Sequence, residues 1–186
     1  MRVALTLVLG PRRSGKSAAA ERIAAGATGA GGSLTYLAPL TVTDAEMRGR
    51  VDAHRARRPA DWVTVETAAV ADALAAAPDA ATVLLDSLGG WVSEVLWRAG
   101  ALEDDGTDEA ADAVEALGLD VDRFAALAAR RSGETVVVGE EAGWGPVPPH
   151  PGTRRWLDAL GDATQTLSRG ADRVLLVVAG RSVELR

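Results

Sequence analysis

The eight residues Gly10-Pro11-Arg12-Arg13-Ser14-Gly15-Lys16-Ser17 follow the pattern G-x-x-x-x-G-K-[ST], a spacing suited to holding a polyphosphate. Glycines let backbone N–H groups converge on phosphate oxygens, and the start of a helix just beyond them adds a favourable dipole. Lys16 is the sole lysine among 20 basic residues; all the others are arginine. An ammonium is a compact charge on a flexible stem, whereas a guanidinium is a wide planar fork. Only the ammonium fits inside a tight loop and still reaches the β- and γ-phosphates of a nucleoside triphosphate. Composition alone thus marks Lys16 as the catalytic cation. In this reading the Ser17 hydroxyl faces Mg²⁺, Arg12 and Arg13 charge the loop tip, and Pro11 removes one amide that need not face phosphate. The competing reading is a chance match in a Gly- and Arg-rich chain. A strand directly before the loop and a helix directly after it separate the two.

Two further groups could join this chemistry. Asp86 closes the apolar run Val83-Leu84-Leu85-Asp86, and an acid at the end of a buried strand can hold Mg²⁺ directly or through water. Asp86 or Ser87 could equally cap the next helix; the phosphate loop upstream favours the metal role. His54, one of two histidines, lies in an arginine-rich stretch with Arg50 four residues before it and Arg57 three after, all on one helical face. A neutral imidazole among guanidinium groups suits nucleophilic attack on a nucleotide phosphorus. On the residues alone, an exposed helical histidine among solvated arginines is the simpler account. The other histidine, His150, sits among prolines and reads as structural or substrate-lining.

The elements that must position these groups alternate between strand and helix. Apolar runs predict strands over 3–9, 34–38, 62–65, 82–85 and 135–138. Helices are expected over 17–25, from Thr43 to before Pro59, over 67–77, 89–99, 122–131 and 154–170. The capping-box pattern Thr43-Asp44-Ala45-Glu46 starts the second of these. Residues 100–118 read as an acidic loop with a short helix near 109–117, and 143–152, with four prolines and three glycines, as irregular. Runs over 173–179 and 182–185 flank Gly180-Arg181 as a terminal hairpin. The expected fold is α/β: one domain over 1–186, a mostly parallel sheet of the P-loop NTPase type with helices on both faces and a C-terminal β-hairpin.

Composition narrows the class. At 186 residues and 47 % hydrophobic, the chain has the size and content for a real core. A net charge of −6 argues against general nucleic-acid binding. No apolar stretch reaches the roughly 20 residues of a membrane span. With no cysteine, disulfides and thiolate metal sites are excluded, and a reducing, cytoplasmic location is expected.

The chain resembles the bifunctional adenosylcobinamide kinase / adenosylcobinamide-phosphate guanylyltransferase family of cobalamin biosynthesis. The resemblance covers nearly the whole chain. It rests on the phosphate loop, on Thr35-Tyr36-Leu37-Ala38 followed by Asp44-x-Glu46-Met47, and on Arg50-x-x-x-His54 with Arg58-Pro59-x-x-Trp62. Leu84-Leu85-Asp86, Glu141-x-Gly143-x-Gly145-x-x-Pro148 and the Leu175-to-Gly180 run add to it. The resemblance implies phosphorylation of adenosylcobinamide by a nucleoside triphosphate, ATP or GTP, followed by transfer of GMP from GTP to adenosylcobinamide phosphate through a GMP–histidine intermediate. It puts the nucleophile on His54, and nucleotide contacts on the phosphate loop, Ala38, Pro39, Leu40, Arg55, Ala56, Arg57, Arg58, Glu66 and Asp86. Mg²⁺ then falls to Ser17 and Asp86, and a homotrimer with sites near subunit contacts is implied. This chain departs from the family pattern at Pro39 (usually Thr), at Glu140 (usually Asn), at Thr164 in a late Asn-Gln pair, and across 149–152. The alternatives are a P-loop small-molecule kinase without guanylyltransferase activity and a nucleotide-binding regulator without catalysis.

Overall fold

A computed structural model describes residues 4–29, 32–39, 59–103 and 108–185. The helix expected from Thr43 lies outside them. Seven strands form one sheet in the order β3-β2-β4-β5-β1-β6-β7. They are β1 (Leu5–Gly10), β2 (Leu34–Ala38), β3 (Val63–Glu66), β4 (Thr82–Asp86), β5 (Thr135–Glu140), β6 (Arg173–Val178) and β7 (Arg181–Leu185). All neighbours pair in parallel except β6 with β7. Five described helices connect them: α1 (Lys16–Thr28), α2 (Val70–Ala76), α3 (Leu88–Arg98), α4 (Asp108–Arg130) and α5 (Pro151–Gly170).

The apolar runs are continuous because both sheet faces are covered. Side chains alternate between faces along each strand. Leu5, Leu7, Leu9, Leu37, Val83, Leu85 and Val137 pack on one side with α2 to α5, while Val8, Tyr36, Leu84, Val136 and Val138 pack on the other against Ala19, Ala20 and Ala24 of α1. The three alanines let α1 lie close to the sheet, directly beneath the loop that precedes it.

The sequence expectation fails most clearly at α4. A loop, a short helix and a second helix were expected across 100–131, yet Asp108–Arg130 is one helix of 23 residues. Its buried stripe, Ala110, Leu117, Val121, Phe124 and Ala128, keeps helical spacing through Gly118. A Cβ on Gly118 would meet nothing within 4 Å, so its position carries only the propensity cost of about 1 kcal/mol. Burial of that stripe, including the tilted ring pair Trp91–Phe124 with centroids 5.6 Å apart, outweighs it. The proline-rich segment is irregular as expected, but α5 begins earlier, with Pro151 in its first turn, where a missing N–H costs nothing. The hairpin turn is Ala179-Gly180, one residue before the expected place, because Val178 pairs with Arg181. Both turn residues have positive φ, 51° and 77°, as a two-residue hairpin with the right twist requires.

One buried arginine ties the sheet's α2 side together. Arg131 donates from Nη1 to the carbonyls of Leu74 and Ala77 (both 3.2 Å) and from Nη2 to those of Pro78 and Ala81 (both 2.8 Å). Two of these are orphan carbonyls at the C-terminus of α2, which Pro78 terminates. Burial pulls the guanidinium below its usual range, partly offset by Asp79, and the four acceptors hold its proton in place. Replacing it with leucine, Arg131→Leu, leaves these carbonyls without a donor. We expect a loss of about 3 kcal/mol, read as a fall of roughly 10 °C in Tm by calorimetry.

Candidate nucleotide site

The carboxyl ends of β1, β2, β3, β4 and β5 share one edge of the sheet, where open α/β folds bind ligands. Residues 11–15 leave β1 at Gly10, and α1 starts at Lys16. The strand–loop–helix context that the sequence reading required is therefore present. Ser14 N–H donates to the Pro11 carbonyl (3.2 Å), closing the loop, and Gly180 N–H donates to the Ser14 carbonyl (2.8 Å), clipping it to the β6–β7 turn. Arg12 and Arg13 are exposed at the tip, and Lys16 is half-buried with Nζ 3.5 Å from the Pro11 carbonyl. Ser14 Oγ is buried and makes no hydrogen bond. Such an orphan is costly unless a ligand supplies its partner.

Asp86 lies two strands from the loop, with β5 between, yet α1 brings Ser17 back to it: the Ser17 hydroxyl donates to Asp86 Oδ1 at 3.4 Å. Tyr36, from β2, donates to Asp86 Oδ2 at 2.7 Å and is itself stacked on Trp62, centroids 6.4 Å apart. Asp86 does not cap α3. Ser87 does, accepting from Gly90 N–H at 3.2 Å. That resolves the ambiguity in the sequence and leaves the Asp86 oxygens directed at Ser17 and Tyr36. Two hard oxygen donors this close suit a hard divalent cation that completes its shell with phosphate oxygens.

Glu140 ends β5 opposite Gly10 of β1, midway between the loop and Asp86. Its Oε2 accepts from Gly89 N–H at 2.8 Å. Burial pushes its carboxyl above the usual carboxylate range; the Ser87 hydroxyl, the Lys16 ammonium and the Gly89 N–H act against this, and the Asp86 charge acts with it.

Of the other expected contacts, Ala38 and Glu66 come together at the same edge, paired across β2 and β3, and Pro39 is buried just beyond. His54, Leu40, Arg55, Ala56, Arg57 and Arg58 lie outside the described residues. Sequence reasoning overlooked Tyr36, since nothing local in a buried strand marks a tyrosine as the partner of an acid 50 positions away. It also overlooked Gly180. Glu140 drew notice only as a departure from a pattern, although an acid at a buried strand end was the same signal that marked Asp86.

A family model described as cobinamide kinase / cobinamide phosphate guanyltransferase matches residues 6–185. The chain belongs to that family. It is accordingly a bifunctional transferase of cobalamin biosynthesis, kinase and guanylyltransferase, as the resemblance implied. Its relatives include the bifunctional adenosylcobalamin biosynthesis protein CobP of Pseudomonas aeruginosa, 36 % identical over 97 % of this chain and 96 % of that one. CobU proteins of the same description from Salmonella typhimurium and Escherichia coli are 32 % and 31 % identical over 98 % of this chain and 99 % of theirs. Among solved structures, a prototypical ATPase from the type III secretion system of pathogenic bacteria matches with a TM-score of 0.55 at 12 % identity. That match covers 98 % of this chain and 57 % of the ATPase, a likeness of fold. No helix among the described residues is long and apolar enough to cross a membrane.

A Cβ on Gly10 would sit 2.5 Å from the Val177 carbonyl oxygen and 2.6 Å from Ser14 Oγ, so the loop depends on its absence. Gly10→Ala should destabilise the fold by about 2 kcal/mol through overpacking. It should also abolish the rise in Tm that added nucleotide gives the wild type, measured by differential scanning fluorimetry.

Proposed function

We propose that this chain phosphorylates the aminopropanol hydroxyl of adenosylcobinamide with ATP or GTP, and then moves GMP from GTP onto the new phosphate. The observation that carries the first half is the pairing of a complete phosphate loop with Asp86 across β5, with Ser17 reaching from one to the other. The loop N–H groups and Lys16 hold the β- and γ-phosphates, and Lys16 offsets the charge that grows on the departing diphosphate. Ser17 and Asp86 would hold Mg²⁺, with Tyr36 fixing the carboxylate that binds it. A cation held there would offset negative charge on the phosphates. Ala38, Pro39 and Glu66 line the same edge and would meet the nucleotide, along with Leu40, Arg55, Ala56, Arg57 and Arg58.

Support for the second half is the family match, whose span includes the Arg50-x-x-x-His54 motif. The His54 imidazole attacks the α-phosphorus of GTP and pyrophosphate leaves. An oxygen of adenosylcobinamide phosphate then attacks the same phosphorus and frees the histidine, giving adenosylcobinamide-GDP. Covalent capture divides one difficult displacement into two easier ones. We assign the enzyme to the cytoplasm, a reducing compartment that suits a sequence without cysteine, and to a homotrimer on the family resemblance; light scattering at three chain masses is the expected result for the latter.

Intact-mass spectra after mixing with GTP and Mg²⁺ should show a gain of one GMP, absent in His54→Ala. Phosphoryl transfer that persists with no such adduct in the wild type would leave the kinase reading alone standing. Lys16→Ala should lower kcat for adenosylcobinamide phosphorylation by roughly 10²–10³-fold, measured with γ-labelled ATP.

A further inference from the structure

Glu140 stands where a second carboxylate ought to be unwelcome. Because β5 runs between β1 and β4, its last residue faces the gap between the phosphate loop and Asp86, the place a triphosphate must fill. A carboxylate there repels the ligand unless it does something the ligand's chemistry needs. Ser87 and Glu140 between them satisfy two N–H groups of the first turn of α3, at Gly90 and Gly89, a task that does not by itself call for a carboxylate this close to Lys16. The surroundings are nonetheless fitted to Glu140. Gly89 N–H bonds it, and the Ser87 hydroxyl and the Lys16 ammonium both favour its charged form. A side chain at Gly89 would collide with the carboxyl and would lie 3.2 Å from Trp156 Cζ2.

Trp156 lies between this carboxyl and a groove. Its indole N–H donates to the Gly89 carbonyl at 3.3 Å, on the residue whose N–H holds Glu140. The same indole walls a groove of about 250 Å³ lined also by Ser93, Leu102, His150, Gly152 and Thr153, between α3 and the start of α5. The lining mixes hydroxyl, imidazole and apolar groups, which suits an alcohol-bearing side chain rather than a phosphate.

From this placement we propose that Glu140 is the catalytic base of the kinase half-reaction, receiving the proton of the acceptor hydroxyl as it enters from the Trp156 groove. The inference rests on the kinase activity proposed above. The hydroxyl oxygen forms a bond to the γ-phosphorus while its proton passes to the Glu140 carboxylate. The bond from that phosphorus to the β–γ bridging oxygen breaks, and the electron pair leaves on the nucleoside diphosphate beside Lys16. The proton on Glu140 returns to solvent as product departs. The carboxyl's raised proton affinity agrees with this task, and Lys16 and Asp86 are the charged groups that face it.

Two variants test the assignment, with adenosylcobinamide and γ-labelled ATP for the kinase, and adenosylcobinamide phosphate and GTP for guanylyl transfer. Glu140→Gln keeps an acceptor for Gly89 N–H but loses basicity. It should slow phosphorylation by roughly 10²–10⁴-fold, with a loss in guanylyl transfer at least about tenfold smaller, since only the former needs this base. Glu140→Ala opens space for a small acid, so sodium formate should restore phosphorylation in proportion to its concentration, while sodium chloride at equal ionic strength should not. Equal losses in both half-reactions, a Glu140→Gln enzyme as fast as wild type, or no response to formate would each overturn the role. A wild type that fails to phosphorylate adenosylcobinamide would instead remove the proposed kinase itself, and this inference with it.

Discussion

Everything at the site depends on β5 lying between β1 and β4. Neighbouring strands stand about 4.8 Å apart, so the loop leaving β1 and the acid ending β4 are held about 10 Å from each other. That gap admits a phosphate chain and an ion, and the parallel register fixes it from Leu5 opposite Thr135 to Asp86 opposite Val138. Two small devices then span the gap: Ser17 reaches across from the first turn of α1, and Tyr36 supports Asp86 from the far side. The alanine face of α1 makes the first reach feasible, because a larger residue at Ala20 or Ala24, both fully buried, would lift the helix and Ser17 with it.

The sequence disclosed this arrangement unevenly, for physical reasons. Strand runs buried on both faces end at marked residues such as Gly10 and Asp86, so β2 was legible to the residue and β1, β4 and β5 to within two. The phosphate loop was legible because its chemistry restricts residue type at close spacing. Helix α4 was not, because Gly118 and a crowd of acidic residues imitate a loop locally, while the buried stripe that overrides them shows only when 23 residues are taken together. Tyr36 and Gly180 were hidden for another reason. Their partners, Asp86 and Ser14, are distant in sequence and meet only through strand order.

Arg131 illustrates the same division between local and long-range information. As one more arginine in an arginine-rich chain it carries no signal, yet its guanidinium gathers four carbonyls from α2 and the turn before β4. A charged group this enclosed is tolerated because its two terminal nitrogens find four backbone acceptors, although the buried Nε–H finds none. It holds the route from α2 into β4, the strand that ends at Asp86.

The clip between Gly180 and Ser14 has a temporal side. Strand, loop and first helix leave the ribosome well ahead of the amide that fastens the loop, which belongs to a turn made 166 residues after Ser14. Translation runs at about 5–20 residues per second, so the nascent loop waits several seconds or longer for its fastening. A chain synthesised only as far as α5 therefore carries the whole phosphate-binding sequence without its fastening, and the capacity to seize nucleotide matures only once the β6–β7 turn is made.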